Sequence, residues 1–255
     1  MHVVCRPPMK RIAIVGASSE IARQCAMLWL AQGEVELLLV GRDRDRMAAL
    51  RECLRAQDAA CAIDAAIVDF HDSAAIGAIV ASLAAGGPLD IVLIAHGAYP
   101  DQLACQADLG QCRSALEINA ISPVLFAEAF AGQLQAAGKG TLALIGSLAG
   151  DRGRKSNYVY GAAKGMLARY AQGLQHRFAG SGVRVVLIKP GPVDTPMTAA
   201  AKAGGTRVAP GAQVARDIVD GIARGRPVVY TPGRWRFIML ALIHLPHRIF
   251  NRLDI

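Results

Sequence analysis

The chain predicts an α/β fold, a doubly wound parallel sheet of about seven strands with helices on both faces. Two observations predict it. Short apolar runs at 12–15, 36–40, 62–68, 91–95, 141–145, 183–188 and 227–230 have the length and composition of strands. Between them lie amphipathic or Ala-rich stretches such as 21–32, 44–55, 73–84, 112–136 and 159–178, which suit helices. In such a sheet, ligands bind at the carboxyl ends of the strands, where the topology reverses.

The 255 residues fit one large domain. A hydrophobic content of 53% with 19% charged residues supplies a core and excludes a disordered chain. No repeat or low-complexity linker divides 9–233. Residues 1–8 are expected to form a disordered extension, with Met9 as an alternative start. The net charge of +8 favours anionic partners: a phosphorylated cofactor, an acidic substrate or an anionic membrane surface. Without a recognisable binding motif or an aromatic-interleaved basic stripe, nucleic acid is not expected as a partner. The six cysteines, at 5, 25, 53, 61, 105 and 112, form no CxxC pair and show no zinc spacing. Free thiols in a reducing cytoplasm, with no metal, are the expectation.

Residues 234–255 read differently. Trp235, Phe237, Ile238, Met239, Leu240, Leu242 and Ile243 stand among Arg234, Arg236, His244, His247 and Arg248. The apolar run is too short to span a bilayer. It suits a helix lying in a membrane interface, or one docking on the core or on a dimer partner.

At the end of the first strand, Gly16 opens a tight turn into Ala17-Ser18-Ser19-Glu20-Ile21-Ala22. A helix N-terminus there offers free N–H groups and a positive dipole to a pyrophosphate, with Ser18 or Ser19 as cap or phosphate contact. The second strand ends at Gly41-Arg42, the position that addresses the adenosine ribose. Arginine there suits a 2′-phosphate and favours NADP(H); Asp43 beside it leaves NAD(H) usable. Ala95-His96-Gly97 follows the fourth strand, with His96 read as a spacer rather than a base.

Ser147 ends the fifth strand, and Tyr160-Gly161-Ala162-Ala163-Lys164 follows. Tyr160 and Lys164 share one helix face. An ammonium beside a phenol favours the phenolate, and a serine at a strand end can bond a carbonyl oxygen that gains charge. At these residues the chain resembles the short-chain dehydrogenase/reductase family, from Ile12 to about Gly233. The resemblance implies a Rossmann-type fold, an NAD(P)-dependent oxidoreductase and a homo-oligomer. It assigns catalysis to Asn119, Ser147, Tyr160 and Lys164, with Asn119 anchoring a proton-relay water. For the cofactor it implies Gly16, Ser18, Ser19, Ile21, Arg42, Asp69 at the adenine, Ala95, Gly97, Tyr160, Lys164, Pro190 and Gly191 at the nicotinamide, Val193, and Thr195 near the carboxamide. The nucleotide turn departs from the family pattern by losing two glycines, one to Glu20 and one to Ala22.

Within the family, three stretches are similar to reductases of decaprenylphosphoryl-2-keto-β-D-erythro-pentose: Ser19-Glu20-Ile21, the run 150–161, and the C-terminal segment. This implies reduction of a keto group on a polyprenyl-phosphate-linked pentose, the second step of a ribose-to-arabinose epimerisation in cell-envelope synthesis. The first step would fall to a partner flavin oxidase, and the site would be cytoplasmic, at the inner face of the membrane. Arg152, Arg154 and Lys155 are the candidate ligands for a substrate phosphate, against the competing reading of a solvated turn. The alternatives are reduction of an unrelated soluble ketone or acyl thioester, and a non-catalytic NADP(H)-sensing protein.

Overall fold

The computed structural model describes residues 9–58 and 61–253, so the expected extension 1–8 lies outside the described residues. Seven strands form one sheet: β1 (Lys10–Val15), β2 (Val35–Gly41), β3 (Ala62–Ile67), β4 (Ile91–Ile94), β5 (Gly140–Ile145), β6 (Val183–Pro190) and β7 (Val228–Thr231). Their order is 3-2-1-4-5-6-7, and every pairing is parallel. The helices are α1 (Glu20–Leu30), α2 (Arg44–Arg55), α3 (Ser73–Ala85), α4 (Gln102–Ala107), α5 (Leu109–Leu116), α6 (Ser122–Ala137), α7 (Tyr158–Arg177), α8 (Ala199–Ala203), α9 (Gly211–Ala223), α10 (Trp235–His244) and α11 (His247–Phe250).

The period of two along each strand builds two apolar layers. Ile12 and Ile14 of β1 face one layer, with Cys25 and Trp29 of α1, Leu50 of α2 and Ile218 of α9. Ala13 and Val15 face the other, with Ile76 of α3, Phe126 and Phe130 of α6 and Leu167 of α7. The sheet grows outward in both directions from the β1–β4 pair. The connections leaving these two strands therefore diverge and open a crevice at their carboxyl ends.

The helix expected over 112–136 is not continuous. It is α5, then a π-helical turn at Glu117–Ile121, then α6. By length and composition the run Leu109–Ala137 suffices to cross a bilayer, but 56% of its apolar window is buried inside the protein. Phe126 and Phe130 are wholly enclosed, as befits a core helix.

At the far end, α10 docks through Met239, which is 6% exposed, and through Trp235, whose indole lies over Gly191. Phe237 and Leu240 on the same helix are 73% and 58% exposed. Docking on the core, one of the sequence readings of this segment, thus holds for one side of the helix. One side seats on the core, and the other leaves large apolar groups uncovered.

Two contacts fasten the turn that follows β5. The first is an approach of backbone to backbone between the 3₁₀ turn Leu148–Gly150 and α7. A Cβ on Gly150 would lie 2.6 Å from the carbonyl carbon of Lys164, and one on Gly161 would lie 2.8 Å from the Ala149 oxygen. The second is ionic. Lys189 at the end of β6 pairs with Asp151, both nearly enclosed, and Tyr230 of β7 donates to Asp151 Oδ2 at 3.1 Å. A desolvated pair persists when the remaining valences are satisfied, as the Tyr230 hydroxyl does here. Burial and the Asp151 charge push the Tyr230 phenol up to about 12.

Gly150→Ala is expected to cost about 1–3 kcal/mol of stability, because the added methyl meets immobile backbone. Gly153→Ala, with nothing within 4 Å of its Cβ, is the control and should leave the urea midpoint in place. Equal midpoints for the two variants would show that the 148–150 turn yields freely.

Candidate active site

The crevice at the strand ends is a cavity of about 780 Å³, within the range of cofactor and ligand sites. Its nucleotide half starts at Gly16, which sits at φ 72° with a virtual Cβ 2.6 Å from the His96 Cβ. Only glycine fits that turn. Ser19 caps α1 by accepting from the Ala22 N–H at 3.2 Å, while Ser18 and Ile21 line the cavity. Glu20, the unusual residue of the turn, is held by Arg23 at 2.7 and 3.0 Å and by Gln24 at 2.9 Å. The Arg23 bonds hold its carboxyl below the usual carboxylate range, and they neutralise the charge beside the anion site.

Arg42 lines the cavity where β2 ends, and Arg46 joins it from the first turn of α2. Asp43 also lines the cavity; it caps α2 by accepting from the Arg46 N–H at 3.0 Å and lies 3.5 Å from the Arg46 guanidinium. Asp69 is not brought to the cavity wall. Its carboxylate accepts from the His71 N–H at 2.9 Å, and the Phe70 ring occupies the wall instead.

Ala95 and Gly97 line the centre of the cavity. Between them, His96 bonds Ser122 Oγ at 2.9 Å and packs against Phe70 and Phe126, with ring centroids at 4.6 and 5.5 Å. Burial, helped by the Lys164 charge, lowers its pKa to about 3. A neutral, enclosed imidazole is a spacer.

Ser147 leads into the 3₁₀ turn and its Oγ accepts from the Ala149 N–H at 3.1 Å. Tyr160 lies in the first turn of α7, where the Ser147 side chain is close enough to act on its phenol. One turn later, Lys164 Nζ donates to the Ile145 carbonyl at 3.1 Å and lies 5.8 Å from the Tyr160 ring centroid. Asn119 sits in the π-helical turn, where its Nδ2 donates to the Ala115 carbonyl and its Oδ1 accepts from the Ala98 N–H, both at 2.9 Å. A Cβ on Gly97 would lie 2.8 Å from that oxygen, so Asn119 and Gly97 set each other's positions.

The electrostatics differ from the sequence expectation. Burial raises the Tyr160 phenol to about 12, against the lowering pull of the Ser147 side chain. Burial also brings Lys164 down to about 8. Desolvation outweighs the attraction between ammonium and phenol, because Nζ directs its hydrogen bond at Ile145 rather than at the ring oxygen.

Past the catalytic groups, Pro190, Gly191, Val193 and Thr195 form the wall beyond β6. Trp235 lies so close that a Cβ on Gly191 would collide with its indole nitrogen. Val193 bridges to Ala209, and Thr195 stands 3.4 Å from Thr198. A nicotinamide dinucleotide fits this arrangement. The side-chain-free turn at Gly16 and the α1 N-terminus suit a pyrophosphate, and Lys164 keeps ammonium hydrogens beyond the one given to Ile145.

Comparison with known proteins agrees. Residues 10–205 match the family model for short chain dehydrogenase. The chain belongs to the short-chain dehydrogenase family. It is an NAD(P)-dependent oxidoreductase of Rossmann-type fold. An uncharacterized oxidoreductase of Mycobacterium tuberculosis is 32% identical over 243 residues, covering 95% of this chain and 96% of the relative. A sulfoacetaldehyde reductase of Chromohalobacter salexigens is 28% identical over 247 residues, covering 96% and 92%. Among solved structures, a short-chain dehydrogenase from Sphingobium yanoikuyae in complex with NADPH superposes with a TM-score of 0.81 at 23% identity, covering 96% of this chain and 97% of that one.

The substrate end of this dehydrogenase holds residues that the sequence did not single out for the site. Tyr99 meets the Tyr160 ring edge-on at 5.0 Å and accepts from Asn157 Nδ2 at 3.2 Å. Trp235, Met239, Leu242 and Phe250, from α10 and α11, supply an apolar wall. Of the three candidate phosphate ligands, Arg154 lines the cavity and Lys155 is exposed outside its lining. Arg152 also borders the cavity, but its guanidinium is committed to the carbonyls of Leu242, Ile243 and Leu245 and to the Phe250 ring. Through Nη1, Arg152 thus has a structural role at the C-terminal helices.

The pKa of Lys164 predicts a pH limb. Its charge is present below about 8 and is lost as pH rises through that value. The kcat/KM for the nicotinamide cofactor, which reports the free enzyme, should fall with one proton lost near pH 8. A profile level to pH ~10, the range of an unperturbed lysine, would exclude Lys164 as the group responsible.

Proposed function

We propose that this dehydrogenase reduces the keto group of a phosphorylated, polyprenyl-linked 2-keto-pentose with NADPH. The observation that carries the reading is that Arg154 and the apolar residues Trp235, Met239, Leu242 and Phe250 line the same cavity as Ser147 and Tyr160. A cation for phosphate and an apolar surface for a lipid chain share one cavity. The uncovered Phe237 and Leu240, with basic neighbours Arg234 and Arg236, support seating of segment 234–255 on an anionic membrane at its cytoplasmic face. Residues 9–233 are then the catalytic domain, in a homo-oligomer supplied with ketone by a partner flavin oxidase.

Bound NADPH supplies the hydride. Ser147 and Tyr160 hold the carbonyl oxygen, and the phenol, at about 12, is protonated at neutral pH and set to act as the acid. As the carbonyl carbon gains the hydride, Tyr160 gives its proton to the oxygen, and ketone, hydride and proton become the alcohol. Ser147 stabilises the developing charge by its hydroxyl. Lys164 holds the nicotinamide ribose and favours the phenolate left behind. Asn119 fixes the 97–98 turn and supports the water chain that reprotonates Tyr160. Pro190, Gly191, Val193 and Thr195 form the nicotinamide wall, Gly16, Ser18, Ser19 and Ile21 the pyrophosphate site, and Ala95 and Gly97 the floor. Arg42 and Arg46 take the 2′-phosphate, and with Asp43 engaged at the α2 cap they make NADP(H) the preferred cofactor over NAD(H).

A second reading, a small soluble anionic carbonyl compound, is favoured by the similarity to a sulfoacetaldehyde reductase. Arg154 would serve a sulfonate as well as a phosphate.

With polyprenylphosphoryl 2-keto-pentose as substrate, cofactor absorbance should report NADPH oxidation, and Tyr160→Phe should lower it by about 10²–10⁴-fold while leaving NADPH binding intact. Turnover of sulfoacetaldehyde alone would select the second reading. Arg42→Ala should raise the KM for NADPH about tenfold or more, the effect of losing charge-assisted bonds, and leave NADH little changed. Equal effects on both cofactors would remove Arg42 from the 2′-phosphate site.

A further inference from the structure

We propose that Arg152 is a positioning residue that seats α10 and α11 over the active-site mouth, and so sets a preference for substrates with an extended apolar body. The proposal rests on the reductase reading for its substrate, but its structural half stands alone. Helix α10 ends at His244, where the last carbonyls of a helix lack partners. One nitrogen of Arg152, Nη1, donates to carbonyls at and just past this end: Ile243 at 3.0 Å, Leu245 at 2.7 Å, and Leu242, which also accepts from the Leu245 N–H. The guanidinium carbon lies 3.8 Å from the Phe250 ring centroid, so the same group that caps α10 also stacks on α11. A cation at a helix C-terminus is further favoured by the dipole.

The root of this clamp is rigid. Asp151, the preceding residue, is tied to Lys189 and Tyr230, and Gly150 before it is packed on the α7 backbone. The outer part of the helix pair has little else to hold it. Phe237, Leu240 and Ile249 are exposed, while Trp235 and Met239 anchor only the start of α10. Yet Leu242 and Phe250, the two residues that Arg152 bonds and stacks on, line the cavity. Cutting the clamp therefore removes the distal half of the apolar wall and leaves Ser147, Tyr160 and Lys164 in place. Lysine is a poor replacement, since it lacks the planar fork that caps and stacks at once.

The test uses the full chain with Arg152→Ala and Arg152→Lys, each checked for an unchanged thermal midpoint and NADPH binding. Trypsin cleavage at Arg248 and Arg252 should accelerate about tenfold or more in Arg152→Ala, the scale of losing charge-assisted bonds, while the core resists. Arg152→Lys should lie closer to Arg152→Ala than to the parent. Two ketones of the same head, with and without a long alkyl tail, then give the specificity. The preference for the tailed ketone, as a ratio of kcat/KM, should fall about tenfold, chiefly through KM. Unaltered cleavage in both variants overturns the clamp. Faster cleavage with an equal loss for both ketones overturns the specificity role. If neither ketone reacts with the parent, the reductase reading fails, and the cleavage rates still decide the clamp. If a variant unfolds, Phe250→Leu, which removes the stacked ring and keeps Arg152, must show faster cleavage for the proposal to stand.

Discussion

Between the end of β5 and the start of α7 the backbone comes within a methyl group's width of another backbone, with no side chain at Gly150 or Gly161 to hold the two apart. The positions of Ser147, Tyr160 and Lys164 follow from that approach. Ser147 lies at one end of the turn and Tyr160 and Lys164 on the helix it touches, so the nearness of the serine to the phenol is a product of backbone packing rather than of side-chain search. The residues that leave the turn continue the same logic. Asp151 ties it to the two outer strands, and Arg152 carries it to the C-terminal helices.

Burial governs the electrostatics of the site more than pairing does. Tyr160 moves up, Lys164 moves down and His96 is kept neutral, and in each case desolvation is the largest cause. Below pH about 8 the charge at its centre is that of Lys164, and further cations, Arg42, Arg46 and Arg154, line the same cavity. A dinucleotide and an anionic substrate would each bring charge to a cavity that can take it.

Much of this was legible in the sequence because it is local. Strand burial on both faces writes itself as continuous apolar runs, so all seven strands were placed within a few residues. Ser147, Tyr160 and Lys164 announce themselves by spacing on one strand end and one helix. The helix Gly211–Ala223 was legible but passed over: Val214, Ala215, Ile218, Val219 and Ile222 carry a helical period. What could not be read depends on contacts between distant segments. Arg152 looks like a solvated cation until α10 is folded beside it, ninety residues on. The interruption at Glu117–Ile121 has no signature in an otherwise helical stretch, and the packing of Phe70 against His96 and Phe126 joins segments far apart in the chain. Arg46 was within reach, since a residue in the first turn of α2 lies beside the end of β2.

Adjacent residues Asp151 and Arg152 hold opposite things, one the sheet edge and the other the helices that close the cavity. That adjacency limits how the chain can diversify. An inserted residue between them would swing the guanidinium away from α10 or break the ion pair with Lys189, whereas Gly153, with open space around it, sits where length can change. Length change beside the mouth is therefore placed at Gly153, ahead of Asn157, which is buried and donates to Tyr99. The two residues before Gly153 are as unyielding as the strands they join.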